Sequence, residues 1–280
     1  MKISIISPSF NQAQFIGSMF ESVLQQPYPN WEIVVADGAS TDGTVALLQQ
    51  YHQRYPEKIR YISETDTGQS NALNKALRLC TGDIIAWLST DDYYEPNIFQ
   101  YVVDIFTQQP DVMVVYGQCD TVDETITPAT VQPYYVAPFN YELLLNRRNF
   151  IPEAATFFRR QVYQHIGGFD EQLSYVMDFD YWLRAATVGK IIFVPKKLAN
   201  FRVHTQSKTG SRNTGFFKEA LAVSRKYGGK TMSGYWWMYQ LEPLYYWYNR
   251  TLGALPGLGW MKRGMKRLVQ GKLAVVNQQR

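Results

Sequence analysis

The sequence predicts an α/β layer sandwich, a mostly parallel central sheet between helices with a helical extension at its carboxyl end. Three observations carry this. Five short runs rich in β-branched and aromatic residues, KISIIS, WEIVVAD, KIRYIS, DIIAWLS and DVMVVYG, recur up to about residue 117. The segments between them carry helical spacing, and the last 65 residues lose the strand pattern altogether. Alternating β and α segments imply parallel strands joined by right-handed crossovers. With 280 residues the chain can bury a substantial core. We divide it into a core domain over 1–212, with halves 1–117 and 118–212, and an extension over 213–280.

Taken in order, KISIIS reads as a buried first strand. Its apolar run is stopped by Pro8, too short for a signal-peptide core. No stretch approaches the roughly 18 uncharged apolar residues of a membrane span, so a cytoplasmic protein is expected. Phe15, Met19, Val23 and Leu24 mark the first helix, and Leu73, Ala76 and Leu77 mark the helix before DIIAWLS. A helix is expected over 95–108. From about 118 to 152 the periodicity fades into Thr, Pro and Tyr, read as a meander with a short helix at NYELLLNRR. ATFFRRQVYQHIGGFDEQL gives a strand and then a helix closed by Gly167 and Gly168, followed by a second helix at DFDYWLRAATVG. KIIFVP and LANFRVH read as two short strands, and HTQSKTGSRNTG as a polar, glycine-containing loop.

Composition narrows the partners. Cys80 and Cys119 form no CxxC pair and read as buried thiols of a reducing compartment. Net charge is +4, yet after Glu242 there is no acid and seven basic residues, so the first 242 residues carry 21 − 24 = −3. In LGWMKRGMKRL, Met261, Met265 and Leu268 share one helical face and Lys262, Arg263, Lys266 and Arg267 the other. Such a basic amphipathic helix fits a membrane surface, although the same residues could simply form a solvated face. Nothing resembles a nucleic-acid-binding fold, so no nucleic acid is expected.

Three acidic segments hold the chemistry. Asp37 ends WEIVVAD, and Asp91 and Asp92 follow IIAWLST, so these acids stand at strand ends, where open α/β sheets bind ligands. Adjacent carboxylates repel unless a cation or donors hold them, and Mg²⁺ or Mn²⁺ takes one or two carboxylates beside water and phosphate oxygens. A helix cap by Asp92 or Ser89 is compatible with that reading. Asp-Gly at 37–38 is also a turn signal, but Asp37 stands one step too early to cap the next helix, which leaves its carboxylate for a ligand N–H. Asp178 and Asp180 begin a helix; one suits the helix dipole, the other a general base, and the residues alone do not say which. His204, with Arg202, Ser207 and Lys208, makes a cationic loop suited to a diphosphate. No Walker loop, GxGxxG or GxSxG occurs, which removes the usual signals of ATP hydrolysis, dinucleotide redox chemistry and esterases.

SIISPSFNQ, DGASTDGT, DTGQSNALNKAL, WLSTDD, ATFFRR, GGFDEQLSYVMDFDYWLR and FRVHTQSKT, in this order over residues 3 to about 210, closely resemble the family 2 glycosyltransferases, inverting nucleotide-sugar enzymes of the GT-A fold. The resemblance implies a nucleotide pocket lined by Pro8, Ser9 and Asp37, with Asp37 accepting from the base. It implies Asp66, Gln69 and Asn74 near the sugar and nucleotide. Asp91 falls on the metal-binding acid of the DxD motif, with Asp92 contacting the donor sugar or supporting the metal, while Ser89 replaces the first acid. Asp178 matches the catalytic base, His204 and Lys208 the loop that closes on the diphosphate, and His204 also falls on the metal. Met177 stands where an acid often precedes the base. The implied reaction moves a sugar from a nucleotide-diphospho-sugar, a UDP-sugar by family weight, to a hydroxyl of a glycan or lipid-linked acceptor, with Mn²⁺ or Mg²⁺. Cell-envelope polysaccharide synthesis at the inner membrane face is the setting it implies. The alternatives are a catalytically silent, membrane-associated assembly factor of the same fold and a two-carboxylate glycosidase, which needs no nucleotide.

Overall fold

The computed structural model describes residues 1–125, 127–205, 207 and 215–241. The predicted strands form where the apolar runs stand: β1 (Ile3–Ser9), β2 (Trp31–Asp37), β3 (Ile59–Ser63) and β4 (Ile84–Trp87). β1, β2 and β4 are buried at every position, as strands covered on both faces must be. The crossovers supply the cover. α1 (Ile16–Leu24) buries Ile16, Met19, Phe20 and Val23, and α3 (Gln69–Leu79) buries Leu73, Ala76 and Leu77. α2 (Thr44–Arg54) links β2 to β3.

Among the described residues the sheet has nine strands, β1 to β4 with β5 (Tyr93–Tyr94), β6 (Val112–Asp123), β7 (Thr130–Pro133), β8 (Thr156–Arg159) and β9 (Lys190–Val203), in the order β3-β2-β1-β4-β8-β6-β9-β5, with β7 on β6. The first four are all parallel, as expected. β8 (Thr156–Arg159) runs antiparallel to both β4 and β6 (Val112–Asp123), so the parallel character of the first half gives way to a mixed sheet. The chain leaves β1 for β2 on one side and returns to β4 on the other. That reversal opens a crevice at the carboxyl ends of β1 and β4.

Three local readings change. The 95–108 helix begins later, as α4 (Phe99–Gln108), because β5 (Tyr93–Tyr94) pairs with β9 (Lys190–Val203) just before it. The meander after residue 117 begins as a continuation of β6, which forms a hairpin with β7 (Thr130–Pro133). KIIFVP and LANFRVH are one strand, β9. Its pairing to β6 jumps from Val194 opposite Gly117 to Lys197 opposite Gln118, so Pro195 and Lys196 form a bulge, where a residue without an N–H is tolerated. Gly117 is required there, since a Cβ would stand 2.5 Å from Leu198 Cγ and 2.6 Å from the Lys196 carbonyl.

Among the described residues the remaining α-helices are α5 (Tyr141–Asn146), α6 (Arg160–Ile166), α7 (Met177–Ala185), α8 (Phe216–Lys226) and a further one over 234–241. The chain divides into two compact units, Met1–Leu144 with Asn149–Asn213, and Leu145–Arg148 with Thr214–Arg280. In the second, Ser224 Oγ donates to the Leu145 carbonyl and Lys230 N to Asn146 Oδ1. The basic amphipathic segment at 258–268 lies outside the described residues, as does Lys208. No described helix is long and apolar enough to cross a membrane.

Candidate active site

Strand register brings the first acids to one edge. Ser9 pairs with Asp37, Asp37 with Ser63, and Thr90 Oγ1 reaches the Pro8 carbonyl at 3.3 Å, tying the Asp91 loop to the end of β1. Pro8 and Ser9 are buried, and no described group pairs with Ser9 Oγ. Asp37 differs from expectation. Its buried carboxylate accepts from Ser40 N at 2.9 Å, from Ser40 Oγ, and from Ser63 Oγ at 2.7 Å. A carboxylate has about four acceptor positions, so one remains for a ligand N–H.

Asp66 folds over the same strand end. Its Oδ1 accepts from Gly68 N, and a Cβ on Gly38 would come within 2.7 Å of its Oδ2. Gly38 is thus a close-approach glycine as well as a turn residue. Phe10, one residue past β1, lies in contact range of that same Gly38 position and is 61% exposed, an aromatic face turned to solvent at the ligand edge. Sequence reading passed over it; the signal was an aromatic directly after a buried strand. Gln69 opens α3 near this edge, partly buried. Asn74 faces elsewhere: it donates to the Phe169 carbonyl and Glu171, and accepts from Phe169 N, fastening α3 to the loop before α7.

The Asp91-Asp92 turn is held by β9. Arg202 N donates to Asp92 Oδ1 at 2.8 Å and the Arg202 guanidinium to the Asp91 carbonyl at 2.8 Å. The same guanidinium pairs with Glu124 and lies over Phe15 and Tyr93, so Arg202 clamps this turn and is not a free cation of the diphosphate loop. Asp92 is fully buried, and no described group pairs with its Oδ2. Burial, then the charges of Asp91 and Glu153, push it well above the usual carboxylate range. His204, directly after β9, is buried against Phe15, and its Nε2 lies 3.1 Å from Asp91 Oδ2.

α7 separates the two acids of its first turn. Asp180 is buried and pairs with Arg184 at 2.7 Å, one helical turn on, while Arg184 also donates to the Ile166 and Gly168 carbonyls. Asp180 is therefore the structural acid. Asp178 remains partly exposed, and Asn149 Nδ2 donates to its Oδ2 at 2.6 Å. Burial lifts Asp178 to about 6, while the Phe179 amide and Asn149 pull the other way. Beside it stands a residue absent from the expected set. Glu153 is raised to about 8 by burial and then by the charges of Asp178 and Asp91. Among the described residues no group of three His, Cys, Asp or Glu side chains is arranged to hold a metal. The possible donors are the pair Asp91 and His204.

Residues 4–167 match the model of glycosyl transferase family 2. An uncharacterized glycosyltransferase of Nostoc sp. is 30% identical over 216 residues, 73% of this chain and 65% of the relative. The chondroitin synthase of Escherichia coli is 28% identical over 208 residues, 73% of this chain and 29% of that protein. The chain thus spans under two thirds of either relative's length. Among solved structures, S. aureus TarS in complex with UDP-GlcNAc superposes with a TM-score of 0.65 at 18% identity, over 81% of this chain and 66% of that one. The mannosyltransferase PcManGT of Pyrobaculum calidifontis, in complex with GDP-Man and Mn²⁺, does so with 0.65 at 20% identity, over 94% and 79%. With the family model covering more than half of its length and the fold shared with these GT-A structures, this chain belongs to glycosyl transferase family 2.

Proposed function

We propose that the protein transfers a sugar from a nucleotide-diphospho-sugar to a hydroxyl of a glycan or lipid-linked acceptor, with inversion at the anomeric carbon. The observation that carries this is a division of labour at one sheet edge. Asp91 and His204 stand paired near the ends of β1 and β4, Asp178 keeps a partly exposed carboxylate while Asp180 is paired with Arg184, and Glu153 feels the charges of both Asp178 and Asp91. The donor side would be the crevice lined by Pro8, Ser9, Asp37 and Asp66, with Gln69 on its α3 flank; Asn74, engaged with Phe169 and Glu171, stands outside it. Phe10 offers a stacking face for the base, and the remaining acceptor position of Asp37 suits a base N–H. Solved neighbours carry UDP-GlcNAc or GDP-Man, which favours a UDP- or GDP-linked donor, and we put UDP first.

Asp91 and His204 fit a divalent cation, Mn²⁺ or Mg²⁺. One carboxylate oxygen and one imidazole nitrogen 3.1 Å apart leave further positions for water and phosphate oxygens, as such ions require. A bound cation would neutralise charge on the departing diphosphate. Asp92, held by Arg202 N, fixes the turn that presents Asp91. His204 and Lys208 would close on the diphosphate. Asp178, ionised at neutral pH with a pKa near 6, takes the acceptor proton as the hydroxyl oxygen attacks the anomeric carbon opposite the leaving diphosphate. A single displacement of this kind inverts the configuration.

Turnover of UDP-GlcNAc, UDP-glucose, UDP-galactose and GDP-mannose, followed as nucleotide release with Mn²⁺ or EDTA, tests the reading. One donor turned over in Mn²⁺ and lost in Asp178→Asn supports it; metal-independent release of sugar from a glycoside, with no nucleotide donor used, contradicts it.

The carboxyl-terminal extension is proposed to touch the cytoplasmic face of the membrane. Met232, Trp237 and Leu241 are exposed in its described part, and tryptophan suits the interfacial layer. Truncation after residue 255 is expected to abolish liposome co-sedimentation without changing nucleotide affinity; undiminished sedimentation would refute the anchor.

A further inference from the structure

The segment 150–158, FIPEAATFF, is buried at every position except one. Phe150, Ile151, Ala154, Ala155, Phe157 and Phe158 are fully enclosed, and the single residue that reaches solvent is a carboxylate, Glu153. It sits on a one-turn 3₁₀ helix pinned by Ala155 N and Thr156 Oγ1, both bonding to the Pro152 carbonyl. β8, which follows at once, runs antiparallel to β4, so its amino end lies beside the carboxyl end of β4, where Asp91 stands. Four residues upstream, Asn149 donates to Asp178. One short, rigid segment thus delivers both the partner of the general base and a second carboxyl group next to it.

Nothing in the fold repays that placement. Apart from its own backbone N–H, no described group donates to the Glu153 side chain, and its charged neighbours, Asp178 and Asp91, are of like sign. A carboxylate there opposes folding, and positions that break local rules without compensation are where function is found. The fully buried Asp92 adds a second polar group of the same edge, its Oδ2 satisfied by no described group.

We propose that Glu153 is a specificity-determining residue of the acceptor subsite, its carboxyl group binding a second hydroxyl of the acceptor sugar beside the one that Asp178 deprotonates. The inference rests on the assignment of Asp178 as base. A vicinal diol matches the arrangement: one hydroxyl attacks, its neighbour is held, and the attacking oxygen is oriented by the second contact. A buried polar group built for a hydroxyl discriminates strongly against an analogue lacking it.

The test uses the full chain, the donor it turns over, and methyl glycosides of glucose, galactose, N-acetylglucosamine and mannose with their monodeoxy derivatives. For the best glycoside, Glu153→Leu is expected to raise acceptor KM at least tenfold. Over the same comparison kcat should move less than threefold and release of nucleotide to water less than twofold. Glu153→Gln, which keeps one acceptor oxygen, should fall between. One monodeoxy glycoside should cost the wild type the same factor and the Leu variant nothing more. Tm of Glu153→Leu should equal or exceed that of the wild type. An unchanged acceptor KM, an equal loss of release to water, or a lowered Tm would overturn the proposal. Asp178→Asn run in parallel separates the two readings: transfer retained in that variant refutes the base, whatever Glu153 does.

Discussion

Removing the amide that faces the base should shift the pH profile of the enzyme without removing the base. Asn149 Nδ2 donates to Asp178 Oδ2 at 2.6 Å, and the bond favours the ionised carboxylate. A hydrogen bond to a charged group contributes about 1.5–3 kcal/mol, and one pKa unit corresponds to about 1.36 kcal/mol. Asn149→Leu should therefore raise Asp178 from about 6 by roughly one to two units. The Phe179 amide still favours the carboxylate, which keeps the shift toward the lower figure. The assay is kcat/KM for nucleotide release at a fixed acceptor concentration, across roughly pH 5 to 9, where the acid limb reports the free enzyme's base. The wild type should lose activity with unit slope below its limb near 6. The variant should match it at high pH and fall behind by about tenfold or more in the acid range. Loss of the Asn149 Oδ1 bond to Ile151 N lowers stability but moves no limb. A uniform loss at every pH with the limb in place would refute the claim that Asn149 acts through the charge of Asp178, and a limb moved to lower pH would reverse its sign.

Two further outcomes concern stability. Because Asp178 is raised from an ordinary 3.8 to about 6, the folded state binds more protons than the unfolded one between those values, and stability falls as pH rises through that window. Asp178→Asn should thus have a Tm equal to or above the wild type at pH 8, with the difference shrinking as pH falls toward 4; a gain that grows on acidification would contradict the shift. Arg184→Leu removes the ion pair from fully buried Asp180 and the guanidinium donors from the Ile166 and Gly168 carbonyls. It should cost about 3–5 kcal/mol in denaturant unfolding, and a loss under about 1 kcal/mol would mean that the pair behaves as a surface one.

The parts of the site that follow from strand ends were legible in the sequence. WEIVVAD and IIAWLSTDD announce buried strands stopping at acids, and the structure brings Asp37 and Asp91 to one edge because β1, β2 and β4 run parallel. What long-range contact decides was not legible. The Ser63 hydroxyl on Asp37 comes from the neighbouring strand, and no spacing within residues 37–44 reveals it. Asp178 and Asp180 were indistinguishable as first-turn acids, although the Asp180–Arg184 spacing of four was a usable sign of an ion pair. Glu153 was hidden inside ATFFRR's apolar approach, where an acid among buried residues was the available signal. β9 was read as two strands because Pro195 interrupts it, and the bulge absorbs that proline.

The Asp91–His204 pair and the β1–β4 crevice are proposed together to form a cation-assisted nucleoside diphosphate site. Isothermal titration of UDP and GDP into the full chain with Mn²⁺, with EDTA, and into Asp91→Asn tests it most directly. Binding of one nucleotide in Mn²⁺ is expected to weaken by about tenfold or more, about 1.4 kcal/mol, in EDTA and in the variant alike; equal affinity in all three conditions, or no binding in any, would rule such a site out.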